Sequence, residues 1–239
     1  MKLGIGIASY NRHENLKFLY LNISLNIPDA VICISDDGSD QDFEFIYDGA
    51  IYLKNNNAGI ARNKNRILHR LFVLEQCDVV IILEDDAEIY ERGWEKPFVS
   101  LALKIGHTNI IFPDMDYMRC GEGYVTHALS GMCMAISSAA FNATGYMDHR
   151  FGRYGYEHVE YTRRMIRNGY GGAVLPSGDF LYSGLPMVGI RCKTEMPTTT
   201  PEGPTEKDRD IFILTANDMG LKFPWSSEED RLKFLKECV

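Results

Sequence analysis

The sequence is poor in the features that mark secreted, zinc-binding and membrane-spanning chains. Its six cysteines include no Cys-x-x-Cys pair, which argues against a zinc knuckle and favours a reducing compartment. Cys33 and Cys133 lie in apolar runs and are predicted to be small core residues. No apolar run approaches the roughly 20 residues that span a bilayer. The opening segment is predicted to be a strand rather than a signal peptide, so we expect a cytoplasmic protein.

The sequence also has fewer basic than acidic residues. Lys and Arg total 25 against 33 Asp and Glu, a net charge of −8, which disfavours a broad grip on nucleic acid phosphates. The basic residues that do cluster are predicted to be solvated helix faces, although they leave a nucleic acid partner open. These residues are Arg62, Lys64, Arg66, Arg70, Arg163, Arg164 and Arg167.

Short apolar runs alternate with amphipathic helical patterns along the 239 residues. The apolar runs are 3–8, 30–35, 50–53, 79–83, 109–112 and 132–136. The helical patterns are 14–25, 58–74, 94–104 and 157–168. Near-continuous apolar runs are typical of strands buried on both faces. The alternation predicts βαβ units, and therefore an α/β fold with a mostly parallel central sheet flanked by helices.

Polar residues follow the first two predicted strands, where ligands bind in open α/β sheets. After the first strand, Ser9 is followed by Tyr10, which can stack on a base, and Arg12, which can pair with a phosphate. After the second strand, Asp36 and Asp37 precede a glycine. One of these carboxylates can accept a hydrogen bond from a base, and the alternative is an Asx-turn with solvated acids.

A loop and helix start then follow at 54–65. Asn57 and Gly59 fit a loop, and Arg62 falls in the first turns of a helix. A basic side chain there is unfavourable for the helix dipole, so Arg62 indicates either an anionic partner or a plain surface position.

The strongest single motif is the apolar run 79–83, which leads directly into Glu84, Asp85 and Asp86. Burying three carboxylates together costs several kcal/mol unless a cation lies among them. A divalent ion with oxygen ligands, Mn²⁺ or Mg²⁺, can bridge such a carboxylate to a diphosphate. The sequence therefore predicts a divalent cation at this strand end, where it would stabilise a leaving diphosphate.

Read in order, the segments 7–12, 34–40, 57–63, 83–86 and 130–160 resemble the family-2 inverting glycosyltransferases, which have the GT-A fold. The resemblance covers residues 1–190, with a donor half at 1–115 and an acceptor half at 116–190. It implies a metal-dependent enzyme that moves a sugar from a nucleotide-diphosphate donor, a UDP-sugar by default, to an acceptor hydroxyl. The segment 83–86 occupies the place of the metal-binding motif, and its resemblance to related N-acetylglucosaminyltransferases implies Asp86 as the direct ligand.

The sequence departs from the family pattern at two places. His158 stands where the family usually has its catalytic Asp, so the base that takes the acceptor proton is either Glu157 or His158. Glu157 is favoured slightly because a carboxylate is the usual group of the family. Many relatives also supply a metal-ligating His further on, which is missing here, so the third ligand is predicted to be Asp179, water or the donor diphosphate.

The remaining chain, 191–239, is predicted to be a flexible loop followed by a C-terminal helical element. The loop, 194–210, reads either as a linker or as a lid over the donor, and Ser226 or Ser227 is predicted to cap the last helix. The acceptor is expected to be a glycan, a protein or a modified nucleobase. Two other functions remain open, a nucleotidyltransferase and a catalytically inactive protein that binds nucleotide sugars.

Overall fold

The first strand, β1 (Leu3–Ser9), is the third strand from one edge of a sheet and is covered by a helix on each face. The structure, a computed structural model, describes residues 1–40, 47–152, 155–193 and 203–239. Ile5 and Ile7 are fully buried with Leu16 of one helix. On the opposite face a Cβ at Gly6 would lie 2.0 Å from Cγ2 of Ile67. Alternation of isoleucine and glycine therefore lets a second helix approach β1 closely.

The helices have the following bounds. They are α1 (His13–Asn26), α2 (Ile60–Leu68) with a π-helical continuation (His69–Leu74), α3 (Glu95–Ile105), α4 (Ser138–Thr144), α5 (Glu157–Arg167), α6 (Glu206–Leu214) and α7 (Glu228–Glu237). The four helical patterns of the sequence correspond to α1, α2 with its π-helical continuation, α3 and α5. Ser227 caps α7 by accepting a hydrogen bond from the backbone N–H of Asp230, as predicted.

Eleven further strands follow β1. They are β2 (Val31–Asp36), β3 (Ile51–Lys54), β4 (Val79–Glu84), β5 (Ala87–Ile89), β6 (His107–Ile111), β7 (Tyr117–Cys120), β8 (Gly123–Thr126), β9 (Ser130–Ser137), β10 (Gly172–Val174), β11 (Phe180–Pro186) and β12 (Ile190–Cys192). The main sheet has the order β3-β2-β1-β4-β9-β6-β11-β8-β7, with β10 paired to β11, and β5 pairs with β12 in a small separate sheet.

The core of the main sheet is parallel, as the sequence predicts. Strands β3, β2, β1 and β4 run in the same direction, and so do β6 and β11. The exception inside the core is β9, which is antiparallel to β4 and to β6. All eight residues of β9 are buried. An apolar run only reports burial on both faces, so it cannot distinguish this strand from a parallel one.

Two predictions about polar segments are wrong. Lys64, Arg66 and Arg164 are almost fully buried rather than solvated, because each is paired with a buried carboxylate, that of Glu157, Asp37 or Glu160. The predicted loop 194–210 lies outside the described residues over 194–202, but α6 begins at Glu206. Thr205 and Asp208 form a capping box there, and this local signal starts a helix whose first five residues are all charged. None of the helices in the described part of the chain is long and apolar enough to cross a membrane.

Candidate functional site

Asp85 ties the end of β4 to the end of β1. Its carboxylate accepts hydrogen bonds from Ser9 Oγ at 2.8 Å, from the backbone N–H of Tyr10 at 3.0 Å and from Arg12 Nη1 at 2.8 Å. Burial raises the pKa of Asp85, against the opposing effect of these donors. The predicted residues Ser9, Tyr10, Arg12 and Asp85 are thus brought together, and Asp85 fixes the loop after β1.

Asp86, the next residue, is held differently. Its Oδ1 is buried and no described residue hydrogen-bonds to it, while Oδ2 lies 3.6 Å from Arg12 Nη1. Burial and the neighbouring Glu84 and Asp85 raise the pKa of Asp86 to about 6. A buried carboxylate oxygen without a donor, surrounded by negative charge, suits a hard divalent cation. The residues present therefore fit the cation that the sequence predicts.

Glu84 faces α2 and pairs with Lys64, which the sequence analysis placed on a solvated helix face. The side chain of Lys64 is fully buried, and its Nζ lies 2.6 Å from Glu84 Oε1 and 3.6 Å from Glu157 Oε1. It also donates to the carbonyl oxygen of Gly131 at 3.3 Å. One buried cation thus joins the end of β4 to the start of α5. The signal was present in the sequence, because Lys64 follows Ile60 by four residues on the apolar face of its helix.

Glu157 and His158 form a pair at the start of α5. His158 Nδ1 lies 3.3 Å from Glu157 Oε1, and the backbone N–H of Gly155 donates to Glu157 Oε2 at 3.1 Å. Burial works against the charge of Glu157, but His158 and Lys64 outweigh it and lower its pKa to about 2. An ionised carboxylate only accepts hydrogen bonds, so Nδ1 of His158 is the donor. The neutral imidazole then carries its free lone pair on Nε2.

The backbone around this pair is specialised. Tyr156, which precedes α5, has a left-handed φ of 66°, a rare conformation for a bulky residue. A Cβ at Gly131 of β9 would lie 2.9 Å from Cγ of His158, so the absence of a side chain there makes room for the imidazole. Such local strain is concentrated at functional sites in proteins.

Both acids at the end of β2, Asp36 and Asp37, make internal contacts. Asp36 accepts hydrogen bonds from Ser39 Oγ at 2.6 Å and from Tyr52 Oη at 2.8 Å. Asp37 accepts from the backbone N–H groups of Ala58 and Gly59, at 3.0 and 2.8 Å. Burial raises the pKa of Asp37. Asp36 therefore ties its own turn to β3, and Asp37 holds the loop that follows β3.

Arg62 has its anionic partners within the chain. It donates to Glu237 and Asp230 of α7, each at 2.8 Å. Asn57 is exposed and lines a cavity of about 290 Å³ between the loop after β3 and α7, together with Lys233 and Lys236. The sequence indicated either an anionic partner for Arg62 or a plain surface position, but nothing in the local pattern showed that α7 supplies the anions.

Asp179 does not lie beside Asp86. Residues 82, 134, 109 and 184 lie side by side on the adjacent strands β4, β9, β6 and β11. β4 and β11 run in the same direction. Asp86 comes just after the end of β4, whereas Asp179 comes just before the start of β11. The two carboxylates are at opposite edges of the sheet, on the order of 20–30 Å apart at about 3.3 Å per residue. Within the described ranges, no three His, Cys, Asp or Glu side chains are grouped to hold a metal.

The fold is that of the GT-A glycosyltransferases. No protein-family model matches the chain, and no curated protein matches it in sequence. Among solved structures it is similar to GalNAc-T7 with UDP, GalNAc and Mn²⁺, at 14% identity and a TM-score of 0.56, over 78% of this chain and 44% of that one. It is also similar to TarS of S. aureus, at 13% identity and a TM-score of 0.54, over 77% of this chain and 37% of that one.

A third similar structure matches over almost the whole chain. It is glucosyl-3-phosphoglycerate synthase from Mycobacterium tuberculosis with Mn²⁺, UDP and glucosyl-3-phosphoglycerate. The identity is 12% and the TM-score 0.56, over 99% of this chain and 80% of that one. The chain thus spans less than half the length of the first two proteins and most of the third.

Proposed function

We propose that this chain is a glycosyltransferase that uses a divalent cation, Mn²⁺ or Mg²⁺, and a nucleotide-diphosphate sugar, by default a UDP-sugar. The observation that carries the proposal is Asp86, whose buried Oδ1 has no hydrogen-bond donor among the described residues at the carboxyl edge of a GT-A sheet. The similar structures of GalNAc-T7 and of the M. tuberculosis synthase, which hold Mn²⁺ and UDP, support it.

Asp86 would hold the cation, which when bound neutralises charge on the leaving diphosphate. The residues around it have supporting tasks. Asp85 orients the loop after β1 by accepting hydrogen bonds from Ser9 and Tyr10, and the ring of Tyr10 would stack on the base. Asp37 holds the second loop through Ala58 and Gly59. This division leaves Asp86 as the acid of its motif with a buried oxygen that has no hydrogen-bond donor among the described residues.

The general base in this proposal is His158, with Glu157 as its positioning residue. A carboxylate with a pKa of about 2, nearly fully buried and paired with Lys64, is a poor proton acceptor near neutral pH. The ionised Glu157 instead holds Nδ1–H of His158 and leaves Nε2 to take the proton of the acceptor hydroxyl. Direct attack by that hydroxyl on the anomeric carbon gives inversion of configuration.

The decisive experiment measures UDP binding in the presence and absence of Mn²⁺ for the wild type, Asp86→Asn and Asp179→Asn. We expect Mn²⁺ to strengthen UDP binding in the wild type and in Asp179→Asn, since Asp179 lies at the far edge of the sheet. Asp86→Asn is expected to lose this effect because its side chain offers no anionic oxygen to the cation. Calorimetric titration gives the affinities. Equal Mn²⁺ dependence in Asp86→Asn would contradict the proposal.

A screen of nucleotide sugars for UDP release then separates enzyme from binding protein. Slow hydrolysis of a donor that requires Mn²⁺ supports a transferase. Tight Mn²⁺-dependent binding without release from any donor or acceptor favours a binding protein that keeps only the donor site.

A further inference from the structure

We propose that Cys192 supplies the second protein ligand of the cation, beside Asp86. This inference rests on the proposed function and names a residue of the same site. The cation would thus be held by one carboxylate oxygen and one sulfur, with its remaining positions open to the diphosphate and water. Neither the sequence motifs nor the similar structures assign a role to Cys192.

The small sheet of β5 and β12 places Cys192 at the site. Cys192 lies directly opposite Ala87 in the antiparallel register of the two strands. The next residue, Lys193, donates its backbone N–H to the carbonyl oxygen of Asp86 at 2.9 Å. The pairing brings β12 alongside the turn that carries Asp86, and the side chain of Cys192 contacts that of Asp86.

The surroundings of the thiol are those of the metal site. The charged groups nearest the thiol include the carboxylates of Asp86 and Glu84. These are the charges that a cation would neutralise, and Asp86 Oδ1 still lacks a donor. Cys192 is also only half-buried, so a metal ion can reach it from solvent.

The other cysteines are placed differently. Four of the six are buried, namely Cys33, Cys77, Cys133 and Cys238. Cys120 is exposed on β7, which pairs only at the far end of the main sheet, and it serves as a matched control.

Binding through sulfur has a defined chemistry. The S–H bond of Cys192 breaks, a metal–sulfur bond forms, and the proton is released to solvent. A cation bound directly to a thiol deprotonates it even where the free thiol has a high pKa. Sulfur also favours softer cations, so the site should prefer Co²⁺, Zn²⁺ or Cd²⁺ over Mg²⁺ more strongly than an all-oxygen site would.

The test titrates Co²⁺ into the full chain with UDP and records the sulfur-to-cobalt charge-transfer band. We expect the band in the wild type and in Cys120→Ala, and its loss in Cys192→Ser. Equilibrium dialysis of the same samples should show Co²⁺ affinity reduced about 10-fold or more in Cys192→Ser, since losing even an outer partner of a metal ligand costs about that much. Mg²⁺ affinity should change less.

Cobalt binding without a charge-transfer band in the wild type would overturn the assignment of Cys192 and leave the proposed function standing. The same holds if Cys192→Ser keeps the band. No Co²⁺ or Mn²⁺ binding in the wild type with UDP would overturn both proposals. Alkylation of wild-type Cys192, followed by peptide mass spectrometry, needs no variant: Co²⁺ with UDP should slow it, and an unchanged rate would contradict the inference.

Discussion

At the scale of single residues, the ionised carboxylate of Asp86 destabilises the folded protein, and a bound cation would remove this destabilisation. Its pKa of about 6 lies above its ordinary value of about 3.9. The unfolded chain therefore loses this proton at lower pH than the folded chain, and the resulting destabilisation grows from about pH 4 to pH 6. Above pH 6 it is fully present.

We therefore predict that Asp86→Asn is more stable than the metal-free wild type at pH 8, by about 2 kcal/mol, and equally stable at pH 4. Urea unfolding at the two pH values measures the difference, with Asp179→Asn as the control that should not shift. A difference that is the same at both pH values would show that Asp86 is not the titrating group. Excess Mn²⁺ with UDP should stabilise the wild type and not the variant.

His158 and Glu157 lead to a second prediction at this scale. We expect His158→Ala to lower kcat for UDP release by about 10²- to 10⁴-fold, the usual contribution of a general base, with UDP affinity unchanged. Glu157→Gln should retain part of the activity and shift its pH profile, because the imidazole keeps its place but loses its anionic partner. Rates measured from pH 5 to 9 decide the matter. Full activity in His158→Ala with an inactive Glu157→Gln would make Glu157 the base.

At the scale of elements, the approach of α2 to β1 depends on the glycines of the strand. A Cβ at Gly6 would lie 2.0 Å from Cγ2 of Ile67, so the helix or the side chain must move. We predict that Gly6→Ala destabilises the protein by about 1–3 kcal/mol, the usual cost of overpacking a core. Thermal or urea unfolding measures it, with Gly220→Ala as control, since no atom lies within 4 Å of a Cβ there. Equal stability of the two variants would contradict this packing.

The strands that the sequence predicted are those buried on both faces. The runs at β1, β2, β4 and β9 are nearly continuous in apolar residues because helices or loops cover both faces. By contrast β7 and β10 are exposed along their whole length and carry no such pattern, so they were not predicted. The start of α6 was missed for a related reason, since a capping box rather than an apolar face marks it.

At the scale of the whole molecule, ion pairs hold the C-terminal helix α7 against the donor half. Glu237 accepts hydrogen bonds from Arg62 Nε at 2.8 Å and Arg66 Nε at 2.9 Å. Although burial opposes it, these arginines hold the pKa of Glu237 below its usual range. Arg66 in turn pairs with Asp37 at 2.9 Å. The end of the chain thus supports the loop that follows β3.

We predict that Glu237→Gln destabilises the protein by about 2 kcal/mol, because two largely buried guanidinium groups lose a shared carboxylate while each keeps another partner. Glu229→Gln, an exposed position in the same helix, is the matched control and should change little. Urea unfolding at pH 7 compares the two. Because the pKa of Glu237 is lowered in the folded protein, its ionised form stabilises the wild type above about pH 4. The difference in stability between the wild type and Glu237→Gln should therefore shrink on acidification. A pH-independent difference would point to packing instead.

The sequence by itself determined the fold class and the position of the acidic motif. Both depend on local features, namely apolar runs whose period reports burial and polar residues that must follow a strand to reach its carboxyl edge. Tertiary structure alone decided which side chains meet. Pairing of β5 with β12 brings Cys192 to Asp86, and the direction of β11 carries Asp179 to the opposite edge. Both strand pairings join segments that are far apart in the sequence, and no local pattern encodes which distant segment will supply the partner.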